Sequence, residues 1–299
     1  MQEQLPRISI VTPSFNQAGF IEQTIKSVID QGYTNLQYII IDGASTDNTV
    51  EVIKKYSSKI DCWVSEKDSG QSSAINKGFK KVDGVICSWL GSDDLLEPGS
   101  LFKVAELYMK NPGIGVIAGR CKKINEAGNV IGEKGPSDFN EVNLLNRWKQ
   151  YQPAVFFNRD VLDKIGYLDE SLHFALDTEY FLRIRFHGFK GITTNDVLAS
   201  ARFWSDCKSV AHKYIHYKEL RTVLEKYSQF FDLSFYEKLK FRKNTLSHLL
   251  RIEAKYLMEK REFEASIDRL LNSWKFSFYT PFPNIKMSVR LLLKYMGVI

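Results

Sequence analysis

Residues 85–94 read Val-Ile-Cys-Ser-Trp-Leu-Gly-Ser-Asp-Asp, an apolar run that ends in a glycine, a serine and two adjacent acids. The run has the length and composition of a buried strand, and the acids follow its carboxyl end. Two adjacent carboxylates repel each other, and a bound cation or strong hydrogen-bond donors would relieve that cost. The pattern therefore predicts either a plain turn after a buried strand or a site for a hard divalent cation, and both interpretations stay open.

Three further strand-like runs precede this segment, and each is followed by an amphipathic stretch. The runs are Ile8–Thr12, Gln37–Asp42 and Cys62–Ser65. Between the first two, apolar residues recur at helical spacing from about residue 18 to residue 30. Alternation of short strands with helices predicts an α/β fold, in which a mostly parallel, Rossmann-like sheet carries helices on both faces.

Acidic residues follow three of these four strands. Asp42 ends the second run, Asp68 comes soon after the third, and Asp93 and Asp94 follow the fourth. Ligands of open α/β sheets bind in the crevice at the carboxyl ends of the strands, which makes these acids candidate site residues. Taken singly, Asp42 is explained equally well as a helix N-cap or a turn residue.

Composition bounds the class of protein. The chain has 299 residues, of which 44% are hydrophobic and 13% aromatic, so a folded core is expected and overall disorder is excluded. The first ten residues do not read as a secretory signal, and no run approaches the 18 apolar residues of a membrane-spanning helix. The four cysteines are far apart, which favours free thiols in a reducing cytoplasm over a zinc site or a redox pair.

Several catalytic motifs are missing from the sequence. There is no phosphate-binding loop, no three-glycine dinucleotide signature after the first strand and no Gly-x-Ser-x-Gly elbow. ATP hydrolysis, dehydrogenase chemistry and serine hydrolysis are therefore disfavoured.

Charge and composition divide the chain near residue 205. Residues 1–200 carry 22 Lys and Arg against 25 Asp and Glu, a net −3, whereas residues 201–299 carry 19 against 10, a net +9. Strand patterns give way to helical ones at the same point, which predicts a first domain over 1–205 and a basic helical extension over 206–299. Residues 285–299, the last predicted helix, mix basic and apolar side chains. This helix is expected either to lie on an anionic membrane surface or to pack on the domain or a dimer partner.

A second acidic pattern lies in residues 175–183, which read Ala-Leu-Asp-Thr-Glu-Tyr-Phe-Leu-Arg. Asp177 and Glu179 fall in the first turn of a predicted helix, where the helix dipole favours acidic residues. A catalytic interpretation requires one of these carboxylates to point into the crevice as a general base.

Together these segments resemble, in order over residues 8 to 209, the inverting family 2 glycosyltransferases, which have the GT-A fold and use nucleotide-sugar donors. Each segment is weak evidence by itself, but six in register are highly specific. The six are Val11–Asn16, Ile41–Thr49, Ser65–Gly78, Trp89–Asp94, Gln152–Phe157 and Leu176–Arg183.

The resemblance implies a donor site at the matching positions. Pro13 and Phe15 border the nucleobase, while Asp42 and Asp68 offer hydrogen-bond acceptors to uracil or to ribose hydroxyls. Asp93 faces the ribose.

The resemblance also implies a catalytic pair. Asp94 coordinates a divalent cation, Mn²⁺ or Mg²⁺, on the donor diphosphate, and Asp177 takes the proton of the acceptor hydroxyl as that hydroxyl attacks the anomeric carbon. Inversion follows from the single displacement. Further substrate contacts are expected at Asn76, Gln152, Glu179 and Lys208.

Two positions depart from the family pattern. Many relatives have two aspartates after the second strand, but the second is Gly43 here, so the contact to the base shifts to Asp42, Asp68 or backbone. Many relatives also have a histidine where this chain has Trp204, which leaves Lys208 as a candidate phosphate ligand. His212 is more simply an ordinary surface histidine than a replacement ligand.

The function implied is transfer of a sugar, from a UDP-sugar first of all, to a hydroxyl of a glycan or a polyprenyl-linked glycan in bacterial surface-polysaccharide synthesis. The protein is then expected in the cytoplasm or at the inner face of the plasma membrane, with a homodimer as one arrangement. The alternative is a non-catalytic nucleotide- or sugar-binding protein on the same fold. Nucleic-acid binding is disfavoured, because no RNA or DNA motif is present and carboxylates at the strand ends would repel phosphates.

Overall fold

The computed structural model describes residues 5–141, 149–205, 207, 213–230, 250–251, 253–258 and 262–275. The chain forms two compact units, residues Met1–Cys207 and Lys208–Ile299.

The first unit is built on a nine-stranded mixed sheet. In chain order the strands are β1 Ile8–Ser14, β2 Leu36–Asp42, β3 Cys62–Ser65, β4 Ile86–Trp89, β5 Leu95–Leu96, β6 Val116–Asn125, β7 Val130–Lys134, β8 Val155–Asn158 and β9 Gly191–Phe203. Their spatial order is β3-β2-β1-β4-β8-β6-β9-β5, with β7 paired to β6. The first four strands are parallel to one another, as predicted.

The remaining strands make the sheet mixed. β8 runs antiparallel to β4 and β6, and β5 runs antiparallel to β9, whereas β6 and β9 are parallel. The polar stretch 125–137 includes the turn between β6 and β7 and all of β7.

Eight helices are named here within the described residues. They are α1 Ile21–Ile29, α2 Thr49–Lys55, α3 Gln71–Phe79, α4 Ser100–Lys110, α5 Asp160–Ile165, α6 Leu176–Phe186, α7 Lys213–Ser228 and α8 Phe263–Lys275. The apolar spacing that predicted α1 matches its buried face, on which Ile21, Ile25 and Val28 are fully enclosed.

Alternation along the strands divides the core between the two faces of the sheet. In β2, Tyr38 and Ile40 face one apolar cluster together with Ile25 of α1. Ile39 and Ile41 face the other cluster, which includes residues of α3, α5 and α6. Because both faces of β2 are covered by helices, nearly every residue of this strand is buried, and a ligand crevice is expected at the carboxyl edge of the sheet.

The second unit contributes α7, α8 and the helical residues 253–258. Leu270 of α8 packs with Ala254 and Met258, and the rings of Tyr214 and Tyr256 stack at 5.6 Å. Over the part of the chain that is described, none of the helices has both the length and the apolar character needed to cross a membrane. Residues 276–299, which carry the predicted membrane-surface or dimer contact, lie outside the described residues.

Candidate active site

The paired acids after β4 are held from two directions. On one side, the hydroxyl of Thr24 in α1 donates to the backbone oxygens of Ser92, at 2.9 Å, and Asp94, at 2.8 Å. On the other side, the guanidinium of Arg202 in β9 donates to the backbone oxygen of Asp93 at 2.9 Å. The loop is therefore tied to α1 and to β9, whose contacts lie 70 residues upstream and more than 100 residues downstream in the chain.

Strand β9 and the residue directly after it supply one donor to each of the two carboxylates. The backbone N–H of Arg202 donates to Oδ1 of Asp94 at 2.9 Å, and the indole N–H of Trp204 donates to Oδ2 of Asp93 at 3.0 Å. Each carboxylate keeps one oxygen that no described residue contacts by a hydrogen bond. A Cβ at Gly91 would lie 3.1 Å from that oxygen of Asp93 and 2.9 Å from that of Asp94.

Gly91 is therefore the point on which the two remaining oxygens converge, and the absence of a side chain there lets both carboxylates approach the same point. A cation such as Mn²⁺ or Mg²⁺ binds to one or two carboxylates and to substrate phosphates rather than to a complete protein cage. The described residues contain no cluster of three or more acidic, histidine or cysteine ligands. Two carboxylate oxygens in one cradle fit the shared kind of cation site.

Electrostatics at this loop favour a bound positive charge. Burial, and in second place the neighbouring Asp93, raise the pKa of the Asp94 carboxyl well above its usual value. The Arg202 guanidinium, which is 3% exposed, has its pKa lowered by burial against the attraction of both acids. Arg202 was not among the predicted site residues. An arginine at the end of an otherwise apolar strand is nevertheless a signal for a buried acidic partner.

The predicted base lies at the same end of the sheet. Asp177 is in the first turn of α6, is half-buried, and accepts a hydrogen bond from the backbone N–H of Thr178 at 2.6 Å. One turn further on, the Phe181 ring stacks on Trp89 at 5.8 Å, and Trp89 is the last residue of β4. Helix α6 is thereby packed, through Phe181, against the strand end that leads into Asp93 and Asp94.

The loops after β1 and β2 are fastened to each other. Backbone N–H groups of Asn16, Gln17 and Ala18 donate to side chains of the second loop, and Asn16 accepts from the Thr46 N–H at 2.8 Å. Phe15 projects from this assembly and is 58% exposed. A rigid loop pair with one exposed ring is suited to stacking on a planar group.

Asp42 is turned into the protein rather than toward the crevice. Its side chain is fully buried, and its two oxygens accept hydrogen bonds from the backbone and hydroxyl of Ser45 and from the hydroxyl of Ser65. Its observed contacts order the loop after β2.

Asp68 lies beside the position where many relatives have a second aspartate. A Cβ at Gly43 would be 2.8 Å from Oδ2 of Asp68, so the Asp68 carboxylate occupies the space that a side chain at 43 would need. Its other oxygen accepts the Gly70 N–H at 2.8 Å. Of the positions predicted to take over the contact to the base, Asp68 is the half-buried acid, whereas Asp42 is enclosed.

A residue that the sequence analysis did not single out is Ser14, at the end of β1. Its hydroxyl is buried and has no hydrogen-bond partner among the described residues. Its neighbours in the sequence are the buried Pro13 and the exposed Phe15. Buried hydroxyls are rarely left unpaired in folded proteins, so a ligand group is an economical partner for this one.

The predicted substrate contacts have different surroundings. Asn76 is buried and is hydrogen-bonded to the loop before α6. Gln152 donates its amide to the backbone oxygen of Trp89. Glu179 is 2% exposed and pairs with Arg183 at 3.0 Å. Lys208 lies outside the described residues, as does His212.

Comparison with known proteins matches this architecture. The model of the family described as Glycosyl transferase family 2 matches residues 9–172, more than half of the chain. TuaG of Bacillus subtilis, named as a teichuronic acid biosynthesis glycosyltransferase, is 36% identical over 109 residues, which cover 35% of this chain and 43% of TuaG. The poly-β-1,6-N-acetyl-D-glucosamine synthase of Staphylococcus epidermidis is 24% identical over 181 residues, which cover 57% of this chain and 44% of the synthase.

Solved structures share the fold. TarS 1–349 of S. aureus aligns over 90% of this chain and 80% of its own, with a TM-score of 0.62 and 20% identity. The mannosyltransferase PcManGT from Pyrobaculum calidifontis, in complex with GDP-Man and Mn²⁺, aligns over 99% of this chain and 83% of its own, with a TM-score of 0.63 and 18% identity.

The chain belongs to glycosyl transferase family 2, and its fold is the GT-A fold. The α/β sheet and the family predicted from the sequence are therefore confirmed. This chain spans about half or less of the length of TuaG and of two other curated relatives that it matches.

Proposed function

We propose that this chain is an inverting, cation-dependent glycosyltransferase that moves a hexosyl or N-acetylhexosaminyl group from a nucleotide sugar to a hydroxyl of a glycan or lipid-linked glycan. The observation that carries the proposal is the convergence of one oxygen from Asp93 and one from Asp94 beside Gly91. In α6, Phe181, which lies one turn after Asp177, packs against the end of the same strand.

We assign the roles of the residues from the family resemblance, and this arrangement supports them. Asp94 and Asp93 present oxygens to a cation and to the ribose of the donor, and Phe15 and Asp68 border the base. A bound Mn²⁺ or Mg²⁺ supplies positive charge against the leaving diphosphate. Asp177 accepts the proton of the acceptor hydroxyl, and the hydroxyl oxygen replaces the diphosphate oxygen at the anomeric carbon from the opposite face. One displacement inverts the configuration.

Several similarities support the substrate class. TarS has a structure with UDP-GlcNAc, and PcManGT has one with GDP-Man and Mn²⁺, so a nucleotide sugar and a divalent cation are the ligands of choice to test. The names of TuaG and of the poly-N-acetylglucosamine synthase support a polysaccharide acceptor. Surface-polysaccharide synthesis in the cytoplasm, or at the inner face of the plasma membrane on a polyprenyl-linked acceptor, is the setting we propose.

A screen of nucleotide sugars tests the proposal. Thermal stabilisation of the full chain is measured with UDP- and GDP-linked hexoses and N-acetylhexosamines in the presence of Mn²⁺, and a stabilising donor is then used in transfer assays. Asp177→Asn should keep the stabilisation by the donor and lose transfer. Asp163→Asn, a change at an exposed acid of α5, is the matched control and should keep both.

Three results would contradict the proposal or part of it. Stabilisation by none of the nucleotide sugars removes the donor site. Full turnover in Asp177→Asn removes Asp177 from the role of base, and donor binding without transfer in the unaltered chain favours a binding protein.

A further inference from the structure

We propose that Trp204 is a positioning residue for the donor: its indole N–H holds one oxygen of Asp93 so that the other oxygen is presented to the nucleotide. The inference rests on the proposed function and adds to it a residue that stands where many relatives have a histidine. The proposed role of Trp204 is to orient Asp93, because an indole N–H can donate a hydrogen bond but cannot bind a cation.

The indole of Trp204 makes a well-formed hydrogen bond to the Asp93 carboxylate. Nε1 of Trp204 lies 3.0 Å from Oδ2 of Asp93, a good distance for a donor to an ionised acceptor. Within the described part of the chain, this indole is the sole side-chain donor to the Asp93 carboxylate. The bond therefore decides which oxygen of Asp93 turns toward Gly91.

The indole ring of Trp204 is itself held in place by packing. Its ring packs against Phe20, immediately before α1, with ring centroids 5.0 Å apart. The Arg202 guanidinium lies 4.9 Å from the centre of the same Phe20 ring, and Arg202 is anchored to the backbone oxygens of Asn125 and Glu126. A side chain that is packed in this way loses little entropy when it holds a carboxylate, so the acid is oriented before the donor arrives.

Arg202 and Trp204 donate to the two acids with different groups. Arg202 uses its backbone N–H on Asp94, which no substitution of the side chain removes directly. Trp204 uses a side-chain N–H on Asp93, which a phenylalanine lacks while keeping an aromatic ring. Loss of an outer hydrogen bond to a ligating group commonly weakens binding by about 10- to 100-fold. Trp204→Phe therefore tests the positioning bond by itself.

The experiment measures the affinity of the full chain for UDP and for GDP by calorimetry with Mn²⁺. Trp204→Phe should bind the preferred nucleotide at least about tenfold more weakly. Trp204→His, which restores a ring N–H, should recover most of that loss. Phe203→Leu is the matched control, because it changes the neighbouring ring, which contacts Lys123 instead of the acids, and it should bind as the unaltered chain does.

A double variant shows whether the effect passes through Asp93. In an Asp93→Ala background, Trp204→Phe should add less than about a twofold further loss, because the bond it removes is already absent. Should Trp204→Phe fail to fold, the unaltered chain still gives a test. Its Trp204 indole ¹⁵N–H resonance, identified by its absence from the Trp204→His spectrum, should shift on addition of UDP and Mg²⁺, while that of Trp63 should not.

The outcomes separate this inference from the proposed function. If the unaltered chain binds neither nucleotide, the proposed function fails. If it binds but Trp204→Phe binds equally well, or Trp204→His is as weak as Trp204→Phe, the positioning role of Trp204 is wrong and the transferase proposal stands. Additive losses in the double variant, or an indole resonance that stays unchanged with saturating nucleotide, also overturn it.

Discussion

Asn76→Ala removes a side chain that joins α3 to the loop before the predicted base. The Asn76 amide donates to the Leu168 backbone oxygen at 3.0 Å and to Glu170 at 2.9 Å, and its oxygen accepts the Leu168 N–H at 2.9 Å. Asn76 and Leu168 are each 4% exposed, so alanine leaves two backbone groups of Leu168 buried and unpaired. Each such group costs about 1–3 kcal/mol, which predicts a total loss of about 2–6 kcal/mol in the free energy of unfolding.

The assay is urea unfolding of the variant beside a matched control. Asn48→Ala makes the same substitution at an exposed residue with no hydrogen bond to its side chain among the described residues, and it should change stability by less than about 0.5 kcal/mol. The loop leads into α6 and Asp177, so folded Asn76→Ala should also lose turnover at nearly unchanged donor affinity. A stability loss below about 0.5 kcal/mol, or a loss confined to donor affinity, would refute this reasoning and favour the predicted substrate contact.

Three further perturbations test the acids and the glycines beside them. Gly91→Ala places a methyl group 2.9 Å from Asp94 and 3.1 Å from Asp93, and it should weaken Mn²⁺-dependent nucleotide binding at least about tenfold by calorimetry; unchanged binding would contradict the cradle. Gly43→Ala displaces the Asp68 carboxylate, which would lie 2.8 Å from the new Cβ, and should weaken binding of UDP alone, measured without a cation. Asp94→Asn removes a carboxylate whose pKa is raised on folding, which means that its charged form opposes folding at neutral pH. The melting temperature of the metal-free protein should therefore rise in this variant. A fall in melting temperature would show that the charge is stabilising.

Much of the fold follows from local sequence. The four parallel strands and α1 were predicted because apolar periodicity within about ten residues decides which face is buried. The acids at the strand ends were predicted for the same reason, since parallel strands end at one edge of the sheet. The antiparallel insertion of β8 between β4 and β6 depends on pairing between distant segments, which periodicity does not report.

The direction of individual side chains depended on partners far along the chain. Asp42 accepts two hydrogen bonds from Ser45, three residues on, as a turn residue would, and a third from Ser65 on the neighbouring strand. No spacing within residues 41–49 reveals the contact with Ser65. Trp204 meets Asp93 across 111 residues of sequence. Gly43, a departure from the family pattern, is explained by the Asp68 carboxylate that fills the space beside it.

The most direct measurement is a calorimetric titration of the full chain with the stabilising nucleotide sugar, with and without Mn²⁺, in the Asp94→Ala variant. Asp83→Ala, which removes an exposed acid with a salt bridge to Arg7, is the control. The account predicts that Asp94→Ala loses the part of donor affinity that depends on Mn²⁺ and that Asp83→Ala retains it. Equal Mn²⁺-dependent affinity in both variants would contradict a cation and a diphosphate held at the end of β4.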